Sequence, residues 1–166
     1  MRDKTDKPVW IVEYVYLPDY RDASSQSARQ KTWAIYLAGG YGYGDSVADI
    51  FPWSSDWIPQ VSRMMGILKK TRYPDLAPHN ELVVSGGTGV YCMAEPGEQY
   101  VIYGFHGQAV ELNLKRHPGS YEVRWYDPMV DKGSVEGPLI EEGAGNVSMP
   151  LPFEHEEYCL VVTRRH

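Results

Sequence analysis

From about residue 80 to the end of the chain, apolar residues return at every second position. In SYEVRWYDP, Tyr121, Val123 and Trp125 alternate with Glu122, Arg124 and Tyr126; in QAVELNL, Val110, Leu112 and Leu114 alternate with Glu111 and Asn113. Successive side chains of a strand point to opposite faces, so this period predicts strands with one buried face and one wet face. Similar strands are expected at about 89–95, 99–105 and 157–164. They are separated by EPGE, HPGS and DPMVDKG, whose Pro and Gly supply turn dihedrals. Regular short strands with turn signals predict an antiparallel β-sandwich over residues 79–166.

Residues 1–78 follow a different pattern. PVWIVEYVY at 8–16 is short, continuous and rich in Val, Ile and Tyr, the signature of a strand covered on both faces, and Pro18 ends it. SSQSARQKTWAIYLA at 24–38 reads as a helix, with serines as N-cap candidates and Gly39-Gly40 as its stop. A short strand is expected at about 40–44. A second helix is expected over 57–71, where Trp57, Val61, Met64, Met65 and Leu68 form an apolar stripe. The order is β-α-β-α, and the join to the sandwich falls near RYPDLAPHNE. The expected fold class is therefore α+β in two parts, 1–78 and 79–166.

A β-α-β-α unit is a quarter of a (β/α)8 barrel or part of an open sheet. Two parallel strands alone leave long unpaired edges, which barrels remove by closure. Residues 1–78 should then take strands from a longer parent chain or another subunit, or pack on the sandwich. In a barrel, catalytic residues sit at the C-terminal ends of strands, where Glu13 lies. On the residues alone, Glu13 reads equally as such a carboxylate or as a strand-exit glutamate that is solvated or paired.

Composition narrows the partners. A formal net charge of -6 and no run of Lys/Arg argue against nucleic acid or an anionic membrane, both of which are bound first through positive charge. Arg164 and Arg165 read as a solvated strand end. No stretch reaches the roughly 20 apolar residues of a membrane helix, and MRDKTDK lacks the apolar core of a signal peptide. Cys92 and Cys159 stand in no metal-ligand spacing and read as buried free thiols rather than a disulfide. The histidines form no metal motif, so neither a metal nor a cofactor is expected. SGGTG at 85–89 lacks the Lys-Ser/Thr and the helix of a phosphate loop and reads as a turn. The 13 tyrosines and 5 tryptophans suit either β-rich cores or surfaces that stack on sugars.

KPVWIVEYVY, ARQKTWAIYLAGGYGYGDSV with FPWSSDW, LVVSGGTGVYCMAEPGEQYVIYGF and GSYEVRWYDPMVDKG together resemble the C-terminal part of the apiosidase-like glycoside hydrolases. Those proteins carry a (β/α)8 barrel followed by a β-sandwich known as the collagen-binding domain of a collagenase. The resemblance implies that residues 8–72 are the last two strand-helix units of the barrel and that Glu13 is the catalytic glutamate at a strand end. Ala38, Gly39, Gly40, Gly42 and Gly44 match the family's helix exit and Gly-rich last strand. Tyr-Val-Tyr-Leu-Pro after Glu13, and Asp45, depart from its pattern.

Glycoside hydrolysis uses two carboxylates, about 5–5.5 Å apart for retention or about 6.5–9.5 Å for inversion. The family's second carboxylate comes from an earlier strand. Asp19, Asp45 and Asp49 read as turn or cap residues and are not assigned to that role. Tyr43 and Trp53 are the candidate substrate contacts in YGDSVADIFPWSSDW, with Phe51 and Trp57 beside them. Tyr103 and Tyr126 are the candidate stacking residues on the outer face of the sandwich.

The expected function is a C-terminal, glycoside-hydrolase-like fragment, inactive alone, whose parent family is often exported. The alternatives are a collagen- or carbohydrate-binding module and a glycosidase completed by oligomerisation. The partners implied are a polysaccharide or glycan, collagen in the binding-module reading, and a partner chain in the last.

Overall fold

The computed structural model describes residues 10–12, 25–40, 42–44, 54–85, 88–106 and 109–166. Its elements are β1 (Trp10–Val12), α1 (Ser25–Leu37), β2 (Gly42–Gly44), α2 (Ser54–Leu68), β3 (Ala77–Pro78), β4 (Val90–Glu95) and β5 (Gln99–Gly104), followed by β6 (Ala109–Asn113), β7 (Gly119–Tyr126), β8 (Ser134–Glu136), β9 (Ile140–Gly143), β10 (Asn146–Pro150) and β11 (Tyr158–Arg164). Single 3-10 turns occupy Tyr73–Asp75 and Asn80–Leu82. The chain is α+β, with two helices and a mostly antiparallel set of strands.

β1 and β2 pair in parallel, with Trp10 opposite Gly42, Ile11 opposite Tyr43 and Val12 opposite Gly44. Parallel neighbours need a crossover, and α1 lies in it. The helix stops where Gly39 takes φ 79, a left-handed conformation that costs a glycine little. The Gly39 N–H then donates to the Tyr36 carbonyl at 3.0 Å and Gly40 N–H to Ile35 at 2.9 Å, which satisfies two helix-end acceptors. α2 begins three residues earlier than its apolar stripe predicts. Pro59 consequently falls in the second turn rather than the first, and one intrahelical bond is forgone there.

The main sheet has seven strands in the order β3-β4-β5-β11-β7-β8, with β9 also on β7. β11, the C-terminal strand, lies between β5 and β7, antiparallel to both. A separate pair, β6 with β10, is joined by a bridge from Val83 to Leu112. One face of the main sheet presents Cys92, Tyr100, Ile102, Tyr121, Val123, Trp125, Tyr158, Leu160 and Val162, packed with Val110, Leu112 and Met149 of the β6–β10 pair. The other presents Met93, Val101, Tyr103, Tyr126, Cys159 and Val161, packed with Trp33 and Leu37 of α1 and Met64, Ile67 and Leu68 of α2.

The strict alternation holds at Val110, Leu112, Leu114, Tyr121, Val123 and Trp125, all buried, while Glu122 and Arg124 are exposed. The expectation of one wet face fails for β5, whose residues are all buried, and for Tyr126. The helices cover the face that a two-layer β structure would leave to water, so these strands carry apolar residues on both sides. Cys92 and Cys159 are free and buried, on opposite faces of the sheet, and burial pushes both thiols above their ordinary range.

Candidate functional site

Where α1 crosses the main sheet, a polar cluster interrupts the apolar contact. Arg29, 7% exposed, meets Glu157, 5% exposed, at the start of β11. Nε lies 2.5 Å from Oε1, and Nη2 donates to Oε2 at 2.7 Å. Nη1 reaches Gln60 Oε1 of α2 at 3.0 Å, and the Tyr103 hydroxyl of β5 donates to Glu157 Oε1 at 2.7 Å. Trp33, one helical turn from Arg29, stacks on Tyr103 with centroids 4.9 Å apart and planes 3° apart.

The charges in this cluster sustain one another. Burial works against the charge on Arg29, but the hydrogen bond and charge of Glu157 hold its pKa above the ordinary value. Burial first, then Glu157, pushes the Tyr103 phenol up and keeps it a donor. With three donors on its two oxygens, Glu157 is a tie between helix and sheet rather than a carboxylate open to substrate.

Next to this tie, His155 Nε2 lies 3.0 Å from Asp127 Oδ2, and Phe153 stacks on the imidazole with centroids 5.3 Å apart. A carboxylate only accepts, so Nε2 carries the proton in the neutral ring. Nδ1 is buried with no hydrogen-bond partner among the described residues. Asp127 also borders a cavity of about 330 Å³ between α2 and the segment after β7, together with Arg63, Lys70, Tyr126 and Asp131. Arg63 donates to the Pro128 carbonyl at 3.3 Å, and Lys70 sits 5.5 Å over the Tyr126 ring. Among the described residues no cluster of His, Cys, Asp and Glu could hold a metal ion.

Among the solved structures whose fold matches this chain are two at a TM-score of 0.68 and 12% identity. One is described as a glycoside hydrolase, and the match covers 86% of this chain and 37% of that one. The other is a crystal structure of a glycoside hydrolase family 5 protein from Bacteroides vulgatus ATCC 8482, with 85% and 36% covered. The fold is glycoside-hydrolase-like. No protein-family model matches the chain, and no curated protein matches it. The chain spans little more than a third of the length of the hydrolases it resembles.

Within this glycoside-hydrolase-like fold, the candidates from sequence fare unequally. Glu13 and Trp53 lie outside the described residues, as do Asp19, Asp45, Asp49 and Phe51. Tyr43 lies in β2 opposite Ile11, with only its backbone described. Val12, the residue before Glu13, pairs with Gly44, so the two parallel strands are level at their ends. Tyr103 and Tyr126 are not on an outer face: they are 0% and 6% exposed beneath the helices. Strand periodicity assigns them correctly to the face opposite Trp125. It carries no information about what covers that face.

Sequence reasoning missed the Arg29–Glu157 tie. A signal was present, since Arg29, Trp33 and Leu37 recur every four residues along one helix face and all three are buried. An arginine on a buried stripe needs a carboxylate, but no spacing rule points 128 positions ahead to Glu157.

Proposed function

We propose that this chain is the C-terminal part of an apiosidase-like glycoside hydrolase. Residues 1–78 form the last two β-α units of its (β/α)8 barrel, and residues 79–166 form its accessory β-sandwich. Glu13 acts on the glycosidic bond, with Tyr43 and Trp53 lining the sugar subsite. The observation that carries this reading is the 0.68 match covering 86% of the chain but only 37% of a glycoside hydrolase. Parallel pairing of β1 and β2 around α1 supports it, because that is the repeating unit of such a barrel.

The mechanism follows from carboxylate chemistry. A glycosidase needs one carboxyl group to protonate the leaving oxygen and a second to act as nucleophile or base. Glu13 supplies one, and an earlier barrel strand supplies the other. The 166-residue chain is then inactive by itself.

The test joins the coding sequence upstream of Met1 to this chain and assays the product on aryl glycosides, including an apioside. Hydrolysis should appear in the longer protein and fall by at least about a thousandfold in Glu13→Gln, as expected when the group that moves the proton or attacks carbon is lost. Full activity of the Glu13→Gln protein would sink the assignment. Hydrolysis by a discrete oligomer of the 166-residue chain would replace the fragment reading with self-completion of the barrel. A collagen- or carbohydrate-binding role has lost its expected platform, since Tyr103 and Tyr126 are buried.

A further inference from the structure

Lys115, Arg116 and His117 follow one another in the turn between β6 and β7, and with His79 they line a cleft of about 740 Å³. Lys115 and Arg116 are exposed. Other exposed arginines are matched: Arg72 contacts Glu95 at 2.7 Å and Asp75 at 3.7 Å, while Arg124 and Arg165 share Glu122. Lys115 and Arg116 have no carboxylate partner among the described residues. The one carboxylate lining the cleft, Glu81, is engaged by His79 Nδ1 at 2.7 Å. On a chain of net charge -6, this is a local excess of positive charge set in a concavity. Screening over about 8 Å at physiological ionic strength lets such a local excess outweigh the distant negative groups.

The backbone beside the cleft is tied down by hydrogen bonds. Gly97, at φ 94 in the β4–β5 turn, brings its backbone against His117, whose Nδ1 would stand 3.0 Å from an added Cβ. The Tyr100 hydroxyl accepts the Gly97 N–H at 2.7 Å, and the Tyr121 hydroxyl donates to the His117 carbonyl at 2.7 Å. Arg164 donates to the Gly97 carbonyl at 3.0 Å and the Pro118 carbonyl at 3.2 Å, tying the two turns together. A wall ordered in advance leaves less entropy to be lost on binding.

We propose that this cleft binds the anionic groups, carboxylate or sulfate ester, of a charged polysaccharide, with Lys115 and Arg116 as the contacts. That the polymer is a saccharide rests on the glycoside-hydrolase reading; the anion recognition stands on the cleft. No Phe, Tyr or Trp among the described residues lines it, so neutral sugar rings lack the broad apolar face on which they usually stack. Exposed ion pairs are individually weak, so retention depends on several charges of one polymer engaging in turn.

Native gel electrophoresis of the 166-residue chain through gels containing dextran sulfate, alginate or neutral dextran tests this. Dextran sulfate, alginate or both should retard the protein, and neutral dextran should not; which one acts identifies the anion as sulfate or carboxylate. The double variant Lys115→Glu, Arg116→Glu should weaken retardation by about tenfold or more, and raising salt should abolish it in the parent. Arg124→Glu with Arg165→Glu makes the same change in net charge elsewhere and should leave it unchanged. Absence of retardation by either anionic polymer, equal retardation by neutral dextran, or equal loss in both double variants would overturn the proposal. Hydrolysis is not measured, so failure of the Glu13 assignment would be seen separately.

Discussion

Arg29 and Glu157 occupy positions that apolar residues could fill, 128 residues apart in sequence. A buried ion pair stabilises a fold little relative to a well-packed apolar pair, because desolvation consumes most of the attraction. Removing one partner is different, since the other charge then remains buried and unmatched. Arg29→Met should therefore cost about 3–5 kcal/mol. Arg29→Met with Glu157→Leu should recover most of that loss, and urea denaturation of the single and double variants measures both. A double variant no more stable than Arg29→Met would mean that Tyr103 and Gln60, not the ion pair, dominate the cluster.

Glycines separate two situations at the level of the elements. Gly66 lies in α2 with nothing within 4 Å of the space a Cβ would take. Alanine loses less backbone freedom than glycine on entering a helix, so Gly66→Ala should stabilise by about 0.5–1 kcal/mol. Gly104 ends β5, where a Cβ would run into the buried Tyr158 ring of β11. Gly104→Ala should destabilise by about 1–3 kcal/mol through overpacking, opposite in sign to the same change in α2. Thermal denaturation of the two variants checks both signs. The same Tyr158 packs edge-on to Trp125 with centroids 5.6 Å apart, so the β5–β11–β7 centre has little room to yield.

The whole molecule depends on both faces of the main sheet being covered. Removing residues 1–78 would uncover Met93, Val101, Tyr103, Tyr126, Cys159 and Val161, a contiguous apolar face, and would leave Glu157 without Arg29. Residues 79–166 expressed alone should bind more of a hydrophobic dye, and associate more readily, than the 166-residue chain. A monomeric, dye-silent 79–166 segment would show that the sheet repacks without its helices. Much of this architecture was legible beforehand. The alternation and the turn clusters located β4, β5, β6, β7 and β11 but not β3, β8, β9 or β10, and Gly39-Gly40 located the end of α1. The layering was not legible, because periodicity records which residues share a face and not what lies against it.

By itself the sequence determined both helices and the longer strands, the buried character of Cys92 and Cys159, and the one-turn recurrence of Arg29, Trp33 and Leu37, since these depend on dihedral preference and side-chain period. Only the tertiary structure decided that the helices sit on the sheet, that Tyr103 and Tyr126 are core rather than platform, and that Arg29 is matched by Glu157. It also brought the Lys115–His117 turn against His79 into one cleft. Those outcomes come from contacts between residues far apart in the chain, where burial and charge pairing act through space and leave no periodic trace.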